Sequence, residues 1–269
     1  MKSIDQALAD AANDSYANRP QRDVDTQKTV YFDSKKYQVF GYACDLANGF
    51  HATAYQSVAV PHNVIIAYRG TDPGLFSGAT RAEKADHALT TLHNIAVDAK
   101  MVRDTVNTQK AAADAFTAQM IAKAAAQGIL KDYVFAAGHS LGGAVAEIEA
   151  AKYGLRGATY NGFGAADLID GPPQPCFQLS NYRMAGDVVS AASRHLGEVV
   201  SLASQDDLQN GAAFARATGR AADDLDESVA SAAREAGAYG APVIPPGAAG
   251  RGCGGVWSPV PWTRHTVAA

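Results

Sequence analysis

Six consecutive residues, Gly138-His139-Ser140-Leu141-Gly142-Gly143, stand between two segments of different periodicity. That junction constrains the fold more than anything else in the chain. Before it, Tyr133-Val134-Phe135-Ala136-Ala137 is a short apolar run of the kind that forms a buried strand. After it, the stretch from Ala144 to Ala151 predicts a helix, and Gly154 supplies the stop. A strand that passes into a helix through G-x-S-x-G must turn sharply and present the serine hydroxyl at the end of a sheet. Glycines suit the flanking positions because bulkier side chains there would clash with the neighbouring strand and helix. The alternative is a glycine-rich turn with an incidental serine, and the matching strand before and helix after weigh against it.

The rest of the chain extends the same pattern. Residues 3–17 predict an amphipathic helix, with Ile4, Leu8, Ala11, Ala12 and Tyr16 at helical spacing. The polar stretch 18–28 predicts a loop. Tyr37–Ala43 and Phe50–Gln56 predict two strands joined by a hairpin at Asn48-Gly49. Val64–Tyr68 predicts a buried strand that ends at Arg69-Gly70-Thr71-Asp72-Pro73. Residues 74–95 follow no single pattern, and 96–127 predict an Ala-rich helix with Phe116, Met120 and Ile121 as core contacts. Past the serine, Gly157–Phe163 and Phe177–Met184 predict strands separated by Gly171-Pro172-Pro173-Gln174-Pro175, and the second runs into Ala185-Gly186-Asp187. Residues 206–237 are Ala-rich and acidic and predict a helical insertion; 240–261 are rich in Pro and Gly. Strands alternating with helices predict an α/β fold of one domain, with a mostly parallel central sheet flanked by helices and an antiparallel hairpin near its start.

Bulk properties remove several classes of function. A chain of 269 residues, 47% hydrophobic and 19% charged, is globular in composition. Its net charge of -4 and the lack of a basic stripe give no support for nucleic-acid binding. The three cysteines, Cys44, Cys176 and Cys253, form no C-x-x-C; they indicate no zinc site, and one pair has the option of bridging. The first residues lack the apolar region of a Sec signal peptide. No apolar run reaches the roughly 20 residues needed to span a bilayer, so the expected membrane contact is peripheral.

A serine hydroxyl is a weak nucleophile near neutral pH and needs a histidine base held by a carboxylate. On this fold the three follow in the order serine, acid, histidine. Asp187, at the end of a strand, is the first choice of acid, with Asp167 and Asp170 second; the competing role for Asp187 is to cap a helical turn at Val188-Val189. His195 and His265 are the histidines that follow Ser140. His195 comes so soon after Asp187 that the chain would have to fold straight back, so His265 is favoured as base and His195 is the alternative. Trp257, Val260 and Trp262 would anchor the tail that carries His265. An oxyanion needs two backbone N–H donors; Leu141 supplies one, and the Arg69-Gly70-Thr71-Asp72 loop is placed to supply the other. His139 is expected to pack rather than act as base, and His62, His87 and His93 show no metal-ligand spacing. No cofactor or metal is called for.

These residues resemble the class 3 (fungal-type) lipase family of α/β-hydrolases. Val64-Ile65-Ile66-Ala67-Tyr68-Arg69-Gly70-Thr71 resembles its strand ending in F-R-G-[ST], and Gly138–Ala144 matches its G-H-S-L-G-G-A. Thr159–Gly164 resembles its T-F-G-x-P strand, with Asn161 and Gly162 as departures. Tyr182–Val189 resembles its acid-bearing segment without the usual proline, and His195–Val200 resembles an H-x-G-x-E-V stretch whose histidine is not catalytic. The resemblance covers residues 37–200. It implies hydrolysis of lipid esters, glycerides or phospholipids, with Thr71 as an oxyanion donor and 74–95 as a lid. It also fits a phospholipase effector exported by a dedicated secretion system, with an immunity protein as partner. Other readings are a carboxylesterase or acyltransferase for small soluble esters, and a non-catalytic binding scaffold.

Overall fold

Strand order in the sheet follows strand order in the sequence. The computed structural model describes residues 4–70, 99–184 and 187–202. Within them eight strands lie side by side in the order β1 to β8. They are β1 Thr29–Phe32, β2 Lys35–Asp45, β3 Phe50–Ser57, β4 Val64–Tyr68, β5 Val134–His139, β6 Arg156–Tyr160, β7 Gln178–Met184 and β8 Glu198–Leu202. From β1 to β4 neighbours pair antiparallel; from β4 to β8 they pair parallel. Short connections suffice for the first half, whereas each parallel pair needs a long crossover, and helices fill those crossovers.

Helices cover both faces. Helix α1, Asp5–Asp14, lies on one face, where Ala7, Leu8, Ala11 and Ala12 pack with Tyr55, Ile65, Ala67, Phe135 and Ala137. On the other face, α3, Ala99–Ala126, brings Phe116, Met120 and Ala124, and α4, Leu141–Tyr153, brings Val145, Ala146 and Ala150, against Val64, Ile66, Tyr68 and Ala136. Because side chains alternate along a strand, β4 splits its five buried residues between these two cores. This explains why β4 and β5 read as continuous apolar runs: each is covered twice.

The helices and strands expected within the described residues all occur, and others join them. The stretch 18–28 contains a short helix, α2 Gln21–Asp25, started by extended Pro20 and tied down by buried Asp23, which Arg19 and Lys28 reach. Strand β1 was not foreseen; it alternates exposed and buried over only four residues. Strand β8 completes the far edge through the His195–Val200 stretch. The proposed lid 74–95, the insertion 206–237, Thr71 and His265 lie outside the described residues. Cys176 is disulfide-bonded and Cys44 is a free thiol. Among the described residues no helix is long and apolar enough to cross a membrane.

Helix α4 is buried along nearly its whole length, including Glu147 and Glu149, and Gly154 in the left-handed conformation closes it. Glu149 carries a buried oxygen, Oε2, without a hydrogen-bond partner, and burial pushes its carboxyl up to about 7 against a counteracting bond from Thr117. The docking of α1 makes a separate test of the other face. Leu8 is almost completely enclosed there, so Leu8→Ala should cost about 2–5 kcal/mol in urea unfolding. A loss below about 0.5 kcal/mol would show that α1 contributes little to the core.

Candidate active site

Ser140 is the single residue between the end of β5 and the start of α4. Its backbone sits at φ 55° and ψ -127°, a strained combination for a residue with a side chain. The turn holds it there. The Ser140 N–H donates to the Tyr160 carbonyl (3.2 Å), and the Ser140 carbonyl accepts from Gly143 (2.9 Å) and Phe163 (3.2 Å). Two glycines make the close passage feasible. A Cβ on Gly142 would overlap the Tyr68 carbonyl, and one on Gly143 would overlap the Cα of Gly162. The second contact gives Gly162, a departure from the resembled motif, a physical reason: it faces Gly143. Its neighbour Asn161, at φ 45°, accepts from the Met184 N–H through Oδ1 (2.8 Å) and so ties the ends of β6 and β7 together.

Beside the serine lie the first turn of α4 and the Arg69-Gly70 segment. Leu141 opens α4, so its N–H is among those that find no partner inside the helix and lie at the positive end of the helix dipole. The Arg69-Gly70 turn, which leads to Thr71, runs alongside: a Cβ on Gly70 would lie between the Tyr16 hydroxyl, the His139 carbonyl and Cβ of Ser140. Tyr16, from the end of α1, shares a hydrogen bond of 2.8 Å with Nδ1 of His139, and the Arg69 guanidinium lies over its ring at 5.7 Å. Arg69 also bonds Asn18 Oδ1 and meets His51 Nδ1, both at 3.3 Å. His139 is therefore engaged on the α1 side. Burial keeps its imidazole below the usual histidine range, although the charge of Asp187 acts in the opposite sense.

Asp187 follows β7, two strands along from β5 at the same C-terminal edge of the sheet. With strands about 4.8 Å apart, the ends of β5 and β7 are separated by roughly 10 Å, room for an imidazole hydrogen-bonded at both ends. Asp187 is also the N-cap of a short helix, α5 Val188–Ala191: Oδ1 accepts from the Val189 N–H at 2.9 Å, and its carbonyl accepts from Ala191 at 3.2 Å. Burial raises its carboxyl above the usual range, while the backbone bonds of Val189 and Ser190 and the His139 charge oppose that rise. Asp187 thus takes the capping position considered above.

His195 is fully engaged elsewhere. Nδ1 lies 2.6 Å from Oε1 of Glu147, and Nε2 lies 2.8 Å from the Ser190 carbonyl. A carbonyl only accepts, so Nε2 bears a hydrogen and has no lone pair for the proton of Ser140. Asp167 pairs with Arg194 and Arg103, and Asp170 is exposed near Lys110. Glu147 was not singled out from the sequence, and Tyr16 was read only as part of the apolar face of the first helix. Glu147 hides in an apolar helix, and nothing local in the sequence links Tyr16 to a residue so much later in the chain. Among the described residues no cluster of His, Cys, Asp or Glu suits a metal ion.

A mixed, helix-flanked sheet with a strained serine between its fifth strand and the next helix defines an α/β-hydrolase fold. No family model matches the chain, and no curated protein does. Among solved structures, a triacylglycerol lipase from Penicillium expansum is similar over 74% of this chain and 80% of its own, with 17% identity and a TM-score of 0.45.

The strain at Ser140 is measurable without substrate. Ser140→Gly relieves the backbone but adds freedom to the unfolded chain, whereas Ser140→Ala keeps the strain. The glycine variant should be more stable than the alanine variant by about 1 kcal/mol in urea unfolding. Equal stability, or a less stable glycine variant, would contradict the strained turn.

Proposed function

We propose that this chain is a serine ester hydrolase acting on lipid carboxylic esters, of lipase or phospholipase A type. The observation that carries the proposal is Ser140. It sits alone between strand and helix at positive φ, within Gly138–Ala144, with the N-terminus of α4 behind it. In this reading the Ser140 Oγ attacks the ester carbonyl and His265 takes its proton. The N–H groups of Leu141 and Thr71 hold the oxyanion. The tetrahedral intermediate then collapses, the alcohol leaves with the proton from His265, and water releases the acid from the acyl-enzyme. Asp187 keeps the His265 imidazole in the tautomer that accepts at the serine side. His265 is assigned by elimination, supported by the engagement of both ring nitrogens of His195.

A fluorophosphonate probe should label Ser140 in the parent protein and fail to label Ser140→Ala, and the substitution should lower kcat by roughly 10³-fold or more. Full ester hydrolysis by folded Ser140→Ala would overturn the assignment. A panel of triglycerides, phospholipids and short-chain esters, with products read by mass spectrometry, separates lipid esters from small soluble ones.

Asp187→Asn isolates the proposed orienting role from the cap. Asparagine caps a helix as well as aspartate does, so stability should move by less than about 0.5 kcal/mol. With the imidazole orienter gone, kcat should fall about 10³–10⁴-fold. A near-normal rate for this variant, with Asp167→Asn or Asp170→Asn crippling instead, would move the acid to the loop after β6.

A further inference from the structure

Glu147 points from the nucleophile's own helix into the loops that carry the acid, and its side chain is completely buried. It lies two turns along α4 from Ser140. Oε2 accepts from the N–H of Ala165 and of Leu196, each at 2.9 Å, and Oε1 meets Nδ1 of His195 at 2.6 Å. His195 passes the connection on: its Nε2 bonds the Ser190 carbonyl inside α5. Ser190 Oγ in turn bonds the Asp187 carbonyl at 3.2 Å, and the Val189 N–H bonds the Asp187 carboxylate. The loops after β6 and β7 close around the pair, where Ala166 donates to the Arg194 carbonyl. An unbroken chain of polar contacts therefore runs from the helix behind Ser140 to the cap residue of α5.

We propose that Glu147 and His195 are positioning residues: their buried ion pair fixes α5, and with it Asp187, relative to Ser140. The proposal rests on the ester-hydrolase reading for its effect on turnover, but the anchoring of Asp187 stands apart from that reading. A buried ion pair is poor value for stability alone, since apolar residues of equal volume often hold a core as well. What the pair supplies is direction: both nitrogens of His195 face acceptors, so its ring orientation is set by one proton shared with Glu147.

That proton gives the arrangement a pH limit. Burial pulls the His195 imidazole down, but the hydrogen bond and charge of Glu147, with the Ser190 carbonyl, outweigh it and leave it raised. The other charge acting on the ring is that of Arg183 on β7, which opposes protonation; the adjacent Arg194 is paired with Asp167. A raised histidine contributes its stabilisation fully below the unfolded value of about 6.5 and loses it as the pH climbs through the folded value. Past that point a bare ring nitrogen faces an acceptor oxygen and α5 loses its tether.

Glu147→Gln tests this with the shape retained. The amide oxygen still accepts from Ala165 and Leu196, while the NH₂ donates to Nδ1 of a neutral His195, whose Nε2–H still reaches Ser190. The variant thus holds α5 with the neutral ring and is disturbed by the protonated one. Two readouts are taken across the pH range on both proteins: kcat and KM on a chromogenic ester, and hydrogen exchange of the Val189 and Ala191 amides corrected for its intrinsic pH dependence. In the parent, kcat should fall about tenfold per pH unit on the alkaline side past the His195 midpoint seen by NMR, with KM nearly unchanged. The two amides should lose protection over the same interval. In Glu147→Gln both alkaline effects should disappear and a loss of protection should arise on the acid side. Identical exchange profiles in the two folded proteins would overturn the positioning role. If Glu147→Gln does not fold, an alkaline loss of protection in the parent that fails to track the His195 midpoint overturns it equally. Should neither protein hydrolyse esters while the exchange profiles invert as described, the positioning of Asp187 holds and the ester-hydrolase reading fails.

Discussion

The backbone of Ser140 is the point on which the rest of the structure turns. A non-glycine residue at φ 55° and ψ -127° is unfavourable by about 1–3 kcal/mol. The surroundings must hold it there, and they do so by crowding. The Tyr160 carbonyl takes its N–H, Gly143 and Phe163 share its carbonyl, and three strands end around it. The identity of residues at some distance follows from this. Gly162 is small because Gly143 presses on it, and Gly142 is small because the end of β4 passes over it. The turn therefore depends on β4, β5 and β6 at once, and each strand ends where the serine needs it to end.

Helix α4 shows how a buried element handles charge in two ways. Glu147 meets three N–H groups and is satisfied by geometry. Glu149, two residues later, is enclosed with one oxygen unpartnered, and its carboxyl is pushed up to about 7. One carboxyl joins the helix to the loops after β6 and β7; the other lies against Thr117 and Tyr68 on the α3 side of the sheet. The difference is one of supply: loops offer free N–H donors, whereas α3 and β4 have already spent theirs on their own ladders.

Elements with a strong local signature were legible in the sequence. Doubly buried β4 and β5, the Asn48-Gly49 hairpin, the face of α1 and the Gly154 stop all follow from short-range patterns that survive in the structure. The serine turn was legible because its glycines are steric necessities. Strands β1 and β8 were not: each is short and lies at an edge, and its pairing comes from its neighbour more than from its own residues. Helix α2 escaped because polar residues favour loop and short helix alike, and only tertiary contacts to Asp23 decide between them. Glu147 was illegible for a different reason. A carboxylate amid alanines looks like a solvated helix face until the chain returns with His195, Ala165 and Leu196.

The monotonic strand order has a consequence for how the molecule comes into being. Each strand, as it leaves the ribosome, docks at the growing edge of a sheet already begun; none has to wedge between two that are paired. The antiparallel N-terminal half, closed by tight connections, forms a seed on which the slower parallel half accretes. The Ser140 turn, which needs β6 as well as β4 and β5, is then assembled in the middle of synthesis, and the strand that leads to Asp187 joins next. A chain halted between those two additions would hold Ser140 in its strained turn with neither α5 nor the contact of Glu147 with His195 in place.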